Sequence, residues 1–217
     1  MIILYHCEGA RSFRPLWMLE ELKLAYELKM LPFPPRVLAK EYLAINPLGT
    51  IPFMIDGETK MTESSAICHY LGTRRGPSDL IVDVKDKAYG AFLNWMYFSD
   101  ATLTFPQTLV LRYTRLEPEE RRSPQVATDY AKWFLGRLRA VEAATANAET
   151  LCAGRFTAAD ITVGYALRLA DSLGLARDFG PNVTAYWARL QQRDSYKRAL
   201  AAERLAAQQQ GIAARSA

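Results

Sequence analysis

At 217 residues, half of them hydrophobic and 23% charged, the chain has the make-up of a soluble globular protein long enough for one large or two small domains. Its net charge of +4 is spread among arginines that alternate with acidic residues. The compact basic doublets Arg74-Arg75 and Arg121-Arg122 are too short for the continuous stripe that nucleic acid needs, so no nucleic-acid partner is expected. Cys7, Cys68 and Cys152 are too few and too widely spaced for a disulfide framework or a metal knuckle, and no apolar run approaches the ~20 residues of a membrane span. The apolar start Met1–Leu4 is too short for a signal-peptide core, and a cytoplasmic protein with no membrane partner is expected.

Ile2 to His6 reads as a short apolar strand, and Ser12 to Lys23 carries helical apolar spacing through Leu16, Leu19 and Leu22. A second strand near Tyr26 to Leu31 runs into the proline cluster Pro32, Pro34 and Pro35, and Val37 to Ile45 reads as a short helix. Strands follow at Ile51 to Ile55 and at Lys60-Met61, joined by the hairpin turn Asp56-Gly57, and a helix from Glu63 to Leu71 closes the group. The order βαβαββα predicts a small mixed sheet with helices on its faces over residues 1–75, followed by a linker at 76–86. From residue 87 to 217 the pattern is all-helical, with long runs at Ala88–Leu111, Gln125–Ala146, Thr157–Leu173 and about Val183–Arg193. Pro118, Pro124 and Gly180-Pro181 punctuate it, and the Ala- and Gln-rich tail from Ala199 is expected to fray toward Ala217.

The stretch Asn46-Pro47-Leu48-Gly49-Thr50-Ile51-Pro52, followed by Thr62-Glu63-Ser64, is the part that points to chemistry. A proline cannot donate to a strand ladder, so Pro52 marks a bend or edge, and Ile51-Pro52 is a candidate cis bond. The Ile51 main chain is then free to face a ligand, while Glu63-Ser64 stand at a helix start whose first N–H groups suit a carboxylate. Main-chain pairing, a hydroxyl and a carboxylate within a few residues suit a small zwitterionic peptide. The same residues also have bland readings: a plain β-bend, a first-turn Glu and a Ser-Ser helix start. His6 and His69 are too isolated for a metal site or a triad, and Thr157 with Asp160 has the spacing of a capping box. Trp95, Tyr97, Phe98, Phe105 and Tyr113, at helical spacing, read mostly as core.

These motifs resemble the glutathione-binding motif of the glutathione transferase family. The run from Ser12 to Leu22 is similar to that family's first helix, and Phe156-Thr157-Ala158-Ala159-Asp160-Ile161-Thr162 is similar to its capping signature in the second domain. The resemblance covers nearly the whole chain and is nearest the bacterial and fungal subgroup. It implies a thioredoxin-like N-terminal domain followed by an all-helical domain, α/β plus all-α. It further implies glutathione as co-substrate, no metal, an apolar electrophile bound in a groove lined by some of those aromatics, and a homodimer. Ile51, Pro52, Glu63 and Ser64 then hold the peptide, with the Lys40 ammonium over its glycine carboxylate, and Asp100 stands where relatives reach across a dimer to its amino group. For Lys40 and Asp100 an ordinary solvated charge is the alternative. Where many members of that subgroup carry a Ser, this chain has Ala10, which leaves Arg11 and Ser12 as candidates to stabilise the thiolate. Ser12 alternatively caps the helix, Arg11 alternatively faces solvent, and Tyr5 and Cys7 read as packing residues. The resemblance implies conjugation; lyase, isomerase or disulfide-reductase chemistry on the same site, or a non-catalytic binding protein, stand as alternatives favoured by Ala10.

Overall fold

The computed structural model describes residues 1–75 and 78–212, so Gly76 and Pro77 of the expected linker and the last five residues of the expected frayed tail lie outside the described residues. The chain divides into two compact units, Met1–Ser78 with the segment from Gln191 onward, and Asp79–Leu190.

In the first unit, strands β1 (Ile2–His6), β2 (Tyr26–Met30), β3 (Phe53–Asp56) and β4 (Thr59–Met61) form one sheet in the order β2-β1-β3-β4. The pair β1–β2 is parallel, as a crossover through helix α1 (Phe13–Glu21) requires, and β3 and β4 join antiparallel. Side chains alternate along β1: Ile2, Leu4 and His6 are buried on one face. Tyr5, on the other, packs against Tyr42 and Phe53 with ring centroids 5.3 and 6.0 Å away. The expected helix over Val37–Ile45 forms in two pieces, α2 (Pro35–Leu38) and a 3₁₀ turn (Lys40–Ala44), because Ala39 between them leaves helical angles at φ −138°, ψ 69°. Helix α3 (Ser64–Arg74) packs on α1.

The second unit is helical throughout its described elements. Helix α4 (Tyr89–Tyr97) continues through a π-helical stretch (Phe98–Thr104) into α5 (Phe105–Leu111) and a second π stretch (Arg112–Leu116). Pro106 has no N–H for the ladder, and the wider turn ahead of it is closed by hydroxyls, Ser99 donating to the Met96 carbonyl and Thr104 to that of Ser99, both at 2.7 Å. Helix α6 (Pro124–Ala144) begins at a Ser123 cap. Helix α7 (Ala158–Ser172), almost wholly buried, begins at the expected capping box: Asp160 accepts the Thr157 N–H at 2.8 Å. Helix α8 (Pro181–Gln192) follows.

Helix α9 (Asp194–Gln209) overturns one expectation. Residues from Ala199 to Gln209 do not fray; Ala199, Glu203 and Ala207 form its buried face. That face is built of small residues and one carboxylate, so it has no apolar signature in the sequence. The helix packs within the first unit, on α1 and β2. Its anchors are Tyr196 edge-on to Phe13 and Trp17, the Trp17 indole donating to Ser195 at 3.0 Å, and Arg193 paired with Glu21. At its end the Gln210 amide accepts from the Met30 N–H and donates to the Leu28 carbonyl, both at 2.8 Å, closing the open side of edge strand β2.

Candidate functional site

Strand directions bring three segments to one end of the sheet. Because β3 runs against β1 with Phe53 opposite Tyr5, the bend at Ile51-Pro52 lies where β1 ends and the loop Cys7–Ser12 begins. Because β4 runs against β3 with Met61 opposite Met54, the segment Thr62–Ser64 leaves from that same end.

The bend is built by Asn46. Its Nδ2 donates to the Thr50 carbonyl at 2.9 Å, its Oδ1 accepts from Leu48 N–H at 3.2 Å, and its own carbonyl accepts from Gly49 N–H at 2.8 Å. Gly49 sits at φ 59°, and a Cβ there would stand 2.7 Å from Cβ of Arg36, so both backbone angle and space demand glycine. Tyr42 donates its hydroxyl to the Thr50 carbonyl at 2.8 Å, and burial, which pushes that phenol up to about 12, keeps it a donor at neutral pH. The Ile51-Pro52 bond is cis, as expected, and among the described residues no hydrogen bond engages the Ile51 main chain.

At the start of α3, Glu63 occupies the N-cap with extended angles and an exposed side chain whose contact within the chain is with the Thr62 hydroxyl at 3.4 Å. Ser64 follows at the first helical position, where the N–H precedes the helical ladder. Its hydroxyl accepts from Nη1 of Arg14 at 2.9 Å. Arg14, on α1, is fully buried, a residue that sequence reasoning missed because its partner lies 50 positions away. The guanidinium keeps a permanent charge behind the helix start. It adds to the macrodipole in making that end attractive to an anion.

The loop Cys7–Ser12 turns tightly, with Ala10 N–H donating to the Cys7 carbonyl at 3.1 Å and Phe13 N–H to the Ala10 carbonyl at 2.9 Å. The Ser12 side chain does not cap the helix. It makes no capping hydrogen bond to the helix, is fully buried, and has its hydroxyl on the Cys7 main chain, accepting from the N–H at 3.3 Å and facing the carbonyl at 3.5 Å. That engagement makes it a brace for the loop. Arg11 is half-buried beside it and Ala10 is buried. Cys7 is fully buried, its thiol toward the Pro32 carbonyl at 3.7 Å, and Tyr5 faces the Tyr42 cluster, so both are packing residues. Lys40 is exposed at the head of the 3₁₀ turn that also carries Tyr42. Asp100 lies on the π stretch of the second unit. Among the described residues no group of His, Cys, Asp and Glu has the arrangement of a metal site, and no helix is long and apolar enough to cross a membrane.

Residues 4–79 match the family model described as the glutathione S-transferase N-terminal domain. Glutathione S-transferase 3 of Schizosaccharomyces pombe is 36% identical over 103 residues, 48% of this chain and 43% of that protein. Glutathione S-transferase hmp2 of Hypomyces subiculosus is 38% identical over 44% of this chain and 49% of its own, so the chain spans less than half the length of these two relatives. Glutathione S-transferase GstA of Escherichia coli O157:H7 is 28% identical over 76% of this chain and 79% of its own. Among solved structures, a glutathione transferase from Methylococcus capsulatus superposes with a TM-score of 0.81 at 25% identity, covering 94% of this chain and all of that one. The fungal Ure2p5 of Phanerochaete chrysosporium shares the fold with a TM-score of 0.84 at 22% identity, over 97% of each chain.

Proposed function

We propose that this chain, whose residues 4–79 match the glutathione S-transferase N-terminal domain, is a member of that family, binds glutathione at the end of its sheet and transfers the thiolate to an apolar electrophile. The observation that carries the reading is the unpaired Ile51 main chain standing at the same sheet end as the α3 start, where Ser64 is held by a buried cation. Ile51, at the bend before Pro52, pairs with the peptide's main chain, and Ser64 and the Ser64 N–H take the γ-glutamyl carboxylate, with Glu63 on the neighbouring ammonium. Lys40 serves the glycine carboxylate, and Asp100 acts from the second unit in a homodimer. With Ala10 lacking a hydroxyl and Ser12 committed to Cys7, thiolate stabilisation falls to Arg11 and the N-terminal end of α1, while Ser12 shapes the loop. The gain from such a site is a reactive sulfur held ionised and in place.

The same absence of a free hydroxyl favours a second reading, in which the peptide site serves lyase, isomerase or disulfide-reductase chemistry, or binding alone. Retention on immobilised glutathione combined with a steady-state assay on an aryl halide separates them. Retention with conjugation supports the first, retention without it the second, and no retention refutes both. Sedimentation at micromolar concentration tests the dimer, and a species near 24.5 kDa refutes it.

A further inference from the structure

One carboxylate ties the loop after β1 to helix α9. Glu203 is fully buried, and its Oε2 accepts from the Gly9 N–H at 3.3 Å and lies 3.1 Å from Nε2 of His6. His6, the last residue of β1, is also fully buried, and its Nδ1 has no hydrogen-bond partner, so its polar contact is made through the nitrogen facing Glu203. Gly9 stands at φ 67° with no atom within 4 Å of a notional Cβ. Glycine is therefore required there by the backbone angle, not by space. The loop is thus pinned from two sides, by Ser12 on Cys7 and by Glu203 on Gly9. A carboxylate removed from water is costly unless paired and hydrogen-bonded. Ala199 and Ala207 beside it on the same buried face show that small apolar residues fit this packing.

We propose that Glu203 is a positioning residue for thiol activation: by holding the Gly9 N–H and His6 together it fixes the loop Cys7–Ser12 in the conformation that faces the glutathione sulfur. The C-terminal helix, through one oxygen, then sets how well the first helix stabilises a thiolate. The inference rests on the glutathione reading, so its test needs a readout that does not.

Three measurements on Glu203→Ala and Glu203→Gln supply it: amide exchange at Gly9, calorimetric affinity for S-methylglutathione, and the pH–rate profile for conjugation. Glu203→Ala is expected to speed Gly9 exchange at least about tenfold. Its turnover should fall about tenfold near pH 6.5 and recover above pH 8.5, as a rise of about one unit in the bound thiol's apparent pKa dictates. S-methylglutathione, which has no thiol to activate, should bind within about threefold of wild type. Glu203→Gln keeps an acceptor oxygen for both donors and should restore the exchange rate and the profile. Unchanged Gly9 exchange and an unchanged profile in Glu203→Ala overturn the proposal, as does a profile shift that Gln fails to rescue. Wild-type protein that does not bind S-methylglutathione refutes the glutathione reading, and with it the thiol role, while Gly9 exchange still reports whether Glu203 holds the loop. If Glu203→Ala does not fold, the double variant His6→Leu/Glu203→Leu, which replaces the pair with apolar side chains, is read in the same way.

Discussion

Ser64→Ala removes the one oxygen at which fold and site meet. Its Oγ accepts from Arg14 at 2.9 Å with both residues buried, and the guanidinium cannot shed its charge when that acceptor goes. A hydrogen bond to a charged group is worth about 1.5–3 kcal/mol, and Arg14 has interactions beyond this one, so the loss should fall near the lower figure. For a chain of this length about 2–4 °C accompanies each kcal/mol, which sets the expected fall in Tm at about 3–6 °C. The effect on ligand is separate. Arg14 uses a lone pair of the hydroxyl and leaves its O–H to donate to the γ-glutamyl carboxylate, so affinity should weaken by about 0.5–1.5 kcal/mol, roughly 2- to 12-fold in Kd. Scanning calorimetry reads the first quantity and titration with S-methylglutathione the second. A variant with wild-type Tm and wild-type affinity refutes the whole argument, and a lowered Tm with unchanged affinity reduces Ser64 to a support for the start of α3.

Asp160→Asn should destabilise by about 3 kcal/mol in a urea titration. The carboxylate accepts from Leu151 N–H, the Tyr186 hydroxyl and both donors of Thr157, and an amide nitrogen would face at least one of them. A loss below about 1 kcal/mol contradicts that. Burial pushes the Cys68 thiol from 9.0 up to about 12. Its contribution to stability is therefore present below pH 9 and is lost as pH rises toward the folded value, while the unfolded chain releases the proton first. The stability of Cys68→Ala should accordingly fall less steeply between pH 9 and 10.5 than that of wild type, and equal slopes would exclude the assignment. Arg11→Ala should raise the apparent pKa of bound glutathione in an ultraviolet titration and cut turnover near neutral pH with recovery at alkaline pH; an unshifted titration sends the activating role elsewhere.

Local chemistry made much of the frame of both units readable. Ile2–His6 is the strand its short apolar run announces, the bend at Ile51-Pro52 follows from proline's missing N–H, and the capping box at Thr157 and Asp160 is a matter of three-residue spacing. What the sequence concealed lies at long range. Arg14 looks like a stray charge in an apolar helix until Ser64, 50 residues on, is folded beneath it, and His6 meets Glu203 across 197 positions. Ser12 misled for the same reason: a serine before a helix is usually its cap, but here the turn brings the Cys7 main chain within reach first. Helix α9 was hidden because its buried face is spelled in alanine.

The separation of α9 from the rest of its unit also governs the order in which the molecule can be made. On a ribosome, β1, α1 and β2 emerge early, yet the helix that covers Phe13 and Trp17 and closes β2 emerges only after all of 79–190. At 5–20 residues per second that leaves an aromatic surface and a bare strand edge open for on the order of ten seconds, a window in which nascent-chain chaperones or neighbouring polypeptides compete for them. A fragment ending at residue 78 keeps that window open permanently, and should be far more prone to associate with itself than the full chain.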